Sequence, residues 1–212
     1  QGKMIFKSEM ETGGKSWDAV VPERVFTLAV GDLMGDGKDE IVGDYAGVGD
    51  AGGSRIVNVW DGKTQKYLWR HSRPSNRFCG STLKTVLVAD VDGDGKDEFA
   101  IASDAFRLQL GYYNNFGSEQ VRIWYCNVGS GANAMVGADL DGDGKVEIIV
   151  GTEMGQVQAF DGTPPSGLEP PALYAKEKLF NADVEQAVMA LAARPVGAGQ
   201  EIWTGTVNGK LF

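Results

Sequence analysis

Residues 86–102 read VLVADVDGDGKDEFAIA, and the spacing inside that stretch decides the architecture. An apolar run ends at Asp90, acids return at Asp92 and Asp94 with Gly93 and Gly95 between them, and an apolar run resumes at Phe99. Strand-forming residues on both flanks of a glycine-acid turn predict strand, tight acidic loop, strand. The same reading applies to LAVGDLMGDGKDEIVG from Leu28 and to AMVGADLDGDGKVEIIVG from Ala134. A fourth copy, MALAARPVGAGQEIWTG from Met189, keeps the apolar flanks and the Glu201–Ile202 step. It carries Ala193, Pro195 and Gly197 where the others carry acids.

Taking Asp32, Asp90, Asp139 and Ala193 as equivalent, the copies are 58, 49 and 54 residues apart, a period that suits a propeller blade. Second strands are predicted at Glu40–Gly43, Glu98–Ser103, Glu147–Gly151 and Glu201–Gly205. Third strands follow at Arg55–Trp60, Arg107–Gly111, Gln156–Phe160 and Lys210–Phe212, and fourth strands at Lys66–His71, Gln120–Tyr125 and Ala172–Lys176. The last copy has no fourth strand of its own, but Lys3–Ser8 (KMIFKS) matches Lys66–His71 (KYLWRH). Joining the chain ends gives a fourth step of 51 residues. The expectation is therefore an all-β chain forming one domain over residues 1–212. It is a propeller of four four-stranded antiparallel blades whose last blade is completed by the N-terminal strand, which removes exposed sheet edges. The alternative is part of a larger seven- or eight-bladed ring.

Composition narrows the function classes. Glycine supplies 30 of 212 residues without a three-residue period, which favours many tight turns over long helices. No apolar run approaches the roughly 18 residues of a membrane helix and no leader precedes the repeats, so no membrane span is expected. The net charge of −9 is local: the three acidic loops hold thirteen carboxylates and three lysines, leaving the remaining chain near +1. Without a basic stripe, nucleic-acid binding is not expected. Cys79 and Cys126 stand 47 residues apart, which excludes a zinc-knuckle spacing and leaves open both a disulfide and two separate thiols.

The loops carry the chemistry. Asp90, Asp92 and Asp94 take alternate positions of one turn, the Lys96 carbonyl falls at the seventh position and Glu98 at the ninth. Such hard oxygen donors suit calcium, which takes six to eight at about 2.3–2.6 Å. Asp139, Asp141, Asp143, the Lys145 carbonyl and Glu147 repeat the set. The first loop keeps Asp32, Asp36, the Lys38 carbonyl and Glu40, but Met34 replaces an acid, and a thioether is a poor calcium ligand. A weaker site is expected there and none in the fourth copy. An EF-hand requires flanking helices and a glutamate at the twelfth position, which these strand-flanked loops lack. A solvated acidic turn without metal leaves three carboxylates to repel one another.

Repeated Asp-x-Asp-Gly-Asp-Gly loops between short strands resemble FG-GAP/VCBS-type repeats, the calcium-binding blades of integrin α-subunit propellers and of many secreted bacterial proteins. The resemblance implies structural calcium, an extracellular or cell-surface setting, and a recognition or adhesion role. Some rhamnogalacturonan lyases resemble this repeat type too, so a polysaccharide lyase or a part of one is the alternative. Catalytic signals are thin: the one histidine, His71, ends a predicted outer strand, and no nucleophile elbow or phosphate-binding glycine loop is present. In a propeller the face opposite the acidic loops would collect Glu9–Glu23, Tyr45–Ser54 and Ser72–Leu83. Trp17, Arg73, Arg77 and Phe78 in those loops are the candidate contacts for a protein or glycan, with plugging of the channel or blade interfaces as the competing role for the aromatics.

Overall fold

The computed structural model describes residues 27–46, 55–64, 67–70, 83–104, 107–111, 122–163, 172–173, 178–197 and 199–212. Within them the chain is all-β, with no helix. The first sheet runs in sequence order: β1 (Leu28–Gly31), β2 (Glu40–Ala46), β3 (Arg55–Asp61), β4 (Tyr67–Arg70). The second contains β5 (Leu83–Ala89), β6 (Glu98–Ser103), β7 (Arg107–Gly111) and β8 (Arg122–Asn127), again each beside the next. These antiparallel meanders follow from the turn chemistry, because an acidic loop reverses the chain between the first two strands of each copy. In the second copy the loop closes with Ala89 opposite Glu98 and Val88 opposite Phe99.

The third sheet joins β9 (Ala132–Ala138), β10 (Glu147–Thr152), β11 (Gln156–Phe160) and β13 (Phe180–Asp183). Here the expected fourth strand is corrected. Ala172–Leu173 forms β12, which lies parallel to β8 on the edge of the second sheet, while Phe180–Asp183 pairs with β11. Hydrogen bonds from Leu179 N to Ala159 O (2.8 Å) and from Val184 N to Gly155 O (2.8 Å) extend that pairing at both ends. An outer strand needs backbone partners more than apolar side chains, so the polar FNAD takes the place that the more apolar ALYAK was expected to fill.

The fourth copy builds β14 (Val188–Val196) and β15 (Gly199–Thr206), paired antiparallel. Its expected third strand is present as a bridge between Gly205 and Leu211, with Thr204 and Phe212 exchanging backbone hydrogen bonds of 3.0 Å. Lys3–Ser8, assigned above to the edge of this sheet, lies outside the described residues.

The sheets pack in chain order, β1 beside β5, β5 beside β9 and β9 beside β14. Each contact has its own core. Leu33, Val42 and Val59 meet Val86, Phe99 and Ile101 between the first two sheets. Val91, Ala100 and Val128 meet Ile148, Val150 and Phe160 between the second and third. Ile149, Val157 and Ala159 meet Val188, Leu191 and Ile202 between the third and fourth. Central strands buried on both faces explain the continuous apolar runs: β6 and β10 are buried at every residue. Cys126 sits in the core between the second and third sheets, while Cys79 lies outside the described residues.

Candidate metal centre

All three acidic loops join the first to the second strand of their sheets, so stacking the sheets brings neighbouring loops together at one end. Two backbone bonds lock them: Asp97 N donates to Asp32 O (3.0 Å), and Val146 N donates to Asp90 O (3.3 Å). Within the second loop the aspartates organise the backbone before any ion is considered. Asp90 Oδ1 accepts from Gly93 N (2.7 Å) and its Oδ2 from Gly95 N (2.9 Å). Asp92 Oδ1 accepts from Asp94 N (3.1 Å), and Asp94 Oδ1 from Lys96 N (2.8 Å). The third loop repeats these bonds: Asp139 accepts from Gly142 N (2.7 Å) and Gly144 N (3.1 Å), Asp141 from Asp143 N (3.1 Å), and Asp143 from Lys145 N (2.9 Å). Gly95 and Gly144 take φ of +85° and +88°, a left-handed geometry that a β-carbon disfavours.

The result is convergence. Carboxylate oxygens of Asp90, Asp92 and Asp94 lie within 4.8 Å of one another, as do those of Asp139, Asp141 and Glu147. Asp143 stands outside the second trio, with its Oδ2 3.8 Å from Lys145 Nζ. The ninth-position glutamates are the buried members. Glu98 Oε2 accepts from Val91 N (3.1 Å) and Glu147 Oε2 from Leu140 N (2.6 Å), each with only 4% exposure.

Burial and charge shape their acidity. Loss of solvent pushes the Glu98 carboxyl up to about 8, the Val91 N–H opposes the rise, and Asp92, Asp94 and Asp90 add to it. Burial likewise raises Glu147, against the Leu140 N–H and with the help of Asp141, Asp143 and Asp139. Asp92 is raised by burial and by its neighbours Asp94 and Asp90. These sites concentrate negative charge around a poorly solvated carboxyl, a combination that a divalent cation relieves. The donor chemistry, hard oxygens throughout, suits calcium: the converged groups that would hold it are Asp90, Asp92 and Asp94 in one loop and Asp139, Asp141 and Glu147 in the next.

The first loop is different, and Met34 is the reason. Its side chain packs against the core between the first and second sheets, and no carboxylate trio forms in this loop among the described residues. Asp32 still accepts from Asp36 N (3.0 Å) and Gly37 N (2.7 Å), and Glu40 from Met34 N (3.1 Å). Lys38 Nζ bonds Asp36 Oδ2 at 2.5 Å and offsets its charge. In the fourth copy Glu201 lies on the surface and accepts from Arg194 Nε (2.9 Å) and Trp203 Nε1 (3.3 Å). Arg194 thus partners Glu201, where the buried glutamates of the second and third copies accept from a backbone N–H.

Sequence reasoning missed Asp97. Its Oδ2 accepts from Asp32 N at 2.7 Å, tying the second loop to the first across two sheets. A second Asp at the equivalent Asp39 was the available signal, but the third copy has Val146 there. Trp17, Arg73, Arg77, Phe78 and His71 lie outside the described residues.

Comparisons with known proteins agree with this geometry in part. Residues 90–150, from the second acidic loop through the third loop into β10, match an FG-GAP-like repeat. No curated protein matches the chain. Among solved structures it is similar to a chain of a humanized mutant of the Chaetomium thermophilum Polycomb Repressive Complex 2 bound to an inhibitor. That match has a TM-score of 0.61 and 11% identity over 88% of this chain and 36% of that one. A chain of an active polycomb repressive complex 2 in the basal state gives a TM-score of 0.62 and 11% identity over 91% and 36%. The chain thus spans about a third of the length of the chains it resembles, and at this identity the likeness concerns fold alone.

Proposed function

We propose that the chain is a calcium-stabilised propeller segment serving as an extracellular or cell-surface recognition module for a protein or a carbohydrate. The observation that carries the reading is the convergence of three carboxylates within 4.8 Å in each of two successive loops. Backbone N–H groups offset the repulsion within each trio only in part, and a bound cation would offset more of it, so calcium favours the folded loop over the open chain. The ligands are partly exposed, which suits the weak, millimolar-range affinity of extracellular calcium modules. Of the two ring sizes expected from the repeats, the larger is favoured: a ring closed at four sheets would bury Leu28 and Val30 of β1 against β14 and β15, and they are exposed. Recognition is assigned to the end of the sheets away from the acidic loops, on the strength of the aromatic and arginine residues that the sequence carries before β1 and between β4 and β5.

The test is thermal unfolding with calcium, magnesium or excess chelator. Calcium at a hundredfold excess over Kd adds about 2.7 kcal/mol per site, a rise of several degrees. Unchanged melting in chelator, together with no bound calcium by metal analysis, defeats the reading. A glycan array run beside an assay for unsaturated uronide products separates recognition from lyase activity.

A further inference from the structure

Stacking the sheets does more than gather the acidic loops at one end: it lays a side chain of each loop on the loop before it. Asp97 N bonds Asp32 O at 3.0 Å and Val146 N bonds Asp90 O at 3.3 Å. The residue just before each donor is a lysine, so each bond sets a long cationic side chain against the preceding loop. A β-carbon on Gly35 of the first loop would stand 2.6 Å from Lys96 Cγ and 3.1 Å from its Cδ and Cε. One on Gly93, the equivalent glycine of the second loop, would stand 3.4 Å from Lys145 Cγ and 3.8 Å from its Cε. The fourth copy has Gly199 in place of the lysine, and a β-carbon on Gly142 of the third loop meets nothing within 4 Å.

The position of Lys145 gives this contact a chemical consequence. Gly93 lies between Asp92 and Asp94, two members of the second carboxylate trio. Lys145 runs across that glycine and ends with its Nζ 3.8 Å from Asp143 Oδ2 and 3.5 Å from Thr163 Oγ1. Asp92 is half-buried, whereas Asp141, its counterpart in the third loop, is exposed. Burial, Asp94 and Asp90 raise the Asp92 carboxyl, while the Asp94 N–H and the Lys145 ammonium lower it. The second trio therefore already has a cation beside it, and that cation comes from the next copy.

We infer that Lys145 is a tethered competitor of calcium at the second loop, and that the lysine of each acidic loop acts on the loop before its own. The affinity of the Asp90, Asp92 and Asp94 site is then set in part by a side chain of the third loop. A single ammonium charge weakens the site toward a divalent ion without closing it. The inference rests on the calcium reading above and deepens it.

Titration calorimetry of the full 212-residue chain with calcium at low salt tests it, in a D141A background that leaves the ion the second trio. K145M keeps the stem on Gly93 and removes the charge. It should tighten calcium binding about threefold to tenfold, the effect of one charge on a divalent ion several ångströms away through solvent. The gain should shrink as salt is raised. K145R should bring the affinity back toward that of the parent. The gain from K145M should also exceed that from K96M, although Lys96 belongs to the second loop in sequence. Calcium binding that K145M does not tighten, or tightens no more than K96M does, overturns the inference and leaves the calcium reading standing. Calcium that binds none of these chains overturns both. K145Q, judged by the same outcomes, replaces K145M if that chain does not fold.

Discussion

Replacing Glu98 with Gln tests whether the acidic loop is built around a cation. The Glu98 carboxyl is raised from the usual 4.5 to about 8, mainly by burial. A carboxyl whose folded value exceeds its unfolded value stabilises the fold fully below pH 4.5, and that contribution is lost as pH rises through about 8. In metal-free protein at pH 7 the unfolded chain carries an ionised Glu98 while the folded loop holds it protonated. At 1.36 kcal/mol per unit this costs roughly 3 kcal/mol, or about half that once partial solvation at the loop mouth is allowed for. E98Q keeps an acceptor for Val91 N and has nothing to ionise. Chemical unfolding in chelator should therefore show E98Q gaining on the parent by roughly 1.5–3 kcal/mol between pH 5.5 and pH 8. Any fixed cost of the amide shifts both ends of that comparison equally. In calcium the order should reverse, because ionised Glu98 then faces a cation. Titration calorimetry in buffers of different ionisation enthalpy should detect close to one proton released with the calcium bound at this loop at pH 7, and none in E98Q. Parallel pH profiles for the two proteins in chelator, or proton release unaffected by E98Q, would refute the reasoning.

Asp92→Ala and Asp141→Ala should each remove about one calcium per chain by titration calorimetry and leave the other loop filled, since each aspartate belongs to a different carboxylate trio. Met34→Asp should create an additional, weak calcium-binding event at the first loop while lowering metal-free stability by about 1–2 kcal/mol, because the methionine leaves the core between the first two sheets. Gly95→Ala should cost about 1 kcal/mol and weaken calcium binding severalfold. Its β-carbon would meet open space, so the cost lies in the +85° φ alone, and a full stability match with the parent would contradict that account.

How much of this was legible in the residues depends on how local the cause was. The bounds of β6 coincide with the expected Glu98–Ser103, because an acidic turn fixes where a strand begins. The fourth strand of the third sheet was misplaced because an edge strand is chosen by hydrogen bonding to β11. FNAD alternates over only two apolar residues, Phe180 and Ala182, too brief a pattern to mark that choice. The aspartates at Asp90, Asp92 and Asp94 were readable from spacing, since the turn that displays them is made by their own side chains bonding the backbone. The destination of Met34 was not readable, because turning inward depends on a core supplied by Val86 and Val88 of the next copy. The exposure of Leu28 and Val30 was hidden for the same reason: they look like core residues in sequence, and the described sheets pack against the other side of β1.

The link through Asp97 makes the loops a coupled set. Its carboxylate is raised by burial, is held by Asp32 N, and feels Asp90 and Asp32 as like charges. Gly31 admits it: a β-carbon there would stand 2.3 Å from Asp97 Oδ2, so this approach requires glycine in β1. A cation in the second loop screens Asp90 and so lowers the cost of keeping Asp97 charged and bonded to Asp32. Asp32 in turn holds Asp36 N and Gly37 N, the backbone of a loop that gathers no carboxylate trio of its own. On the proposed reading, calcium at Asp90, Asp92 and Asp94 would therefore order the neighbouring loop as well. Because such coupling is reciprocal, ordering of the first loop would strengthen calcium binding at the second by the same coupling free energy, and a change that abolishes the Asp97–Asp32 link should weaken it.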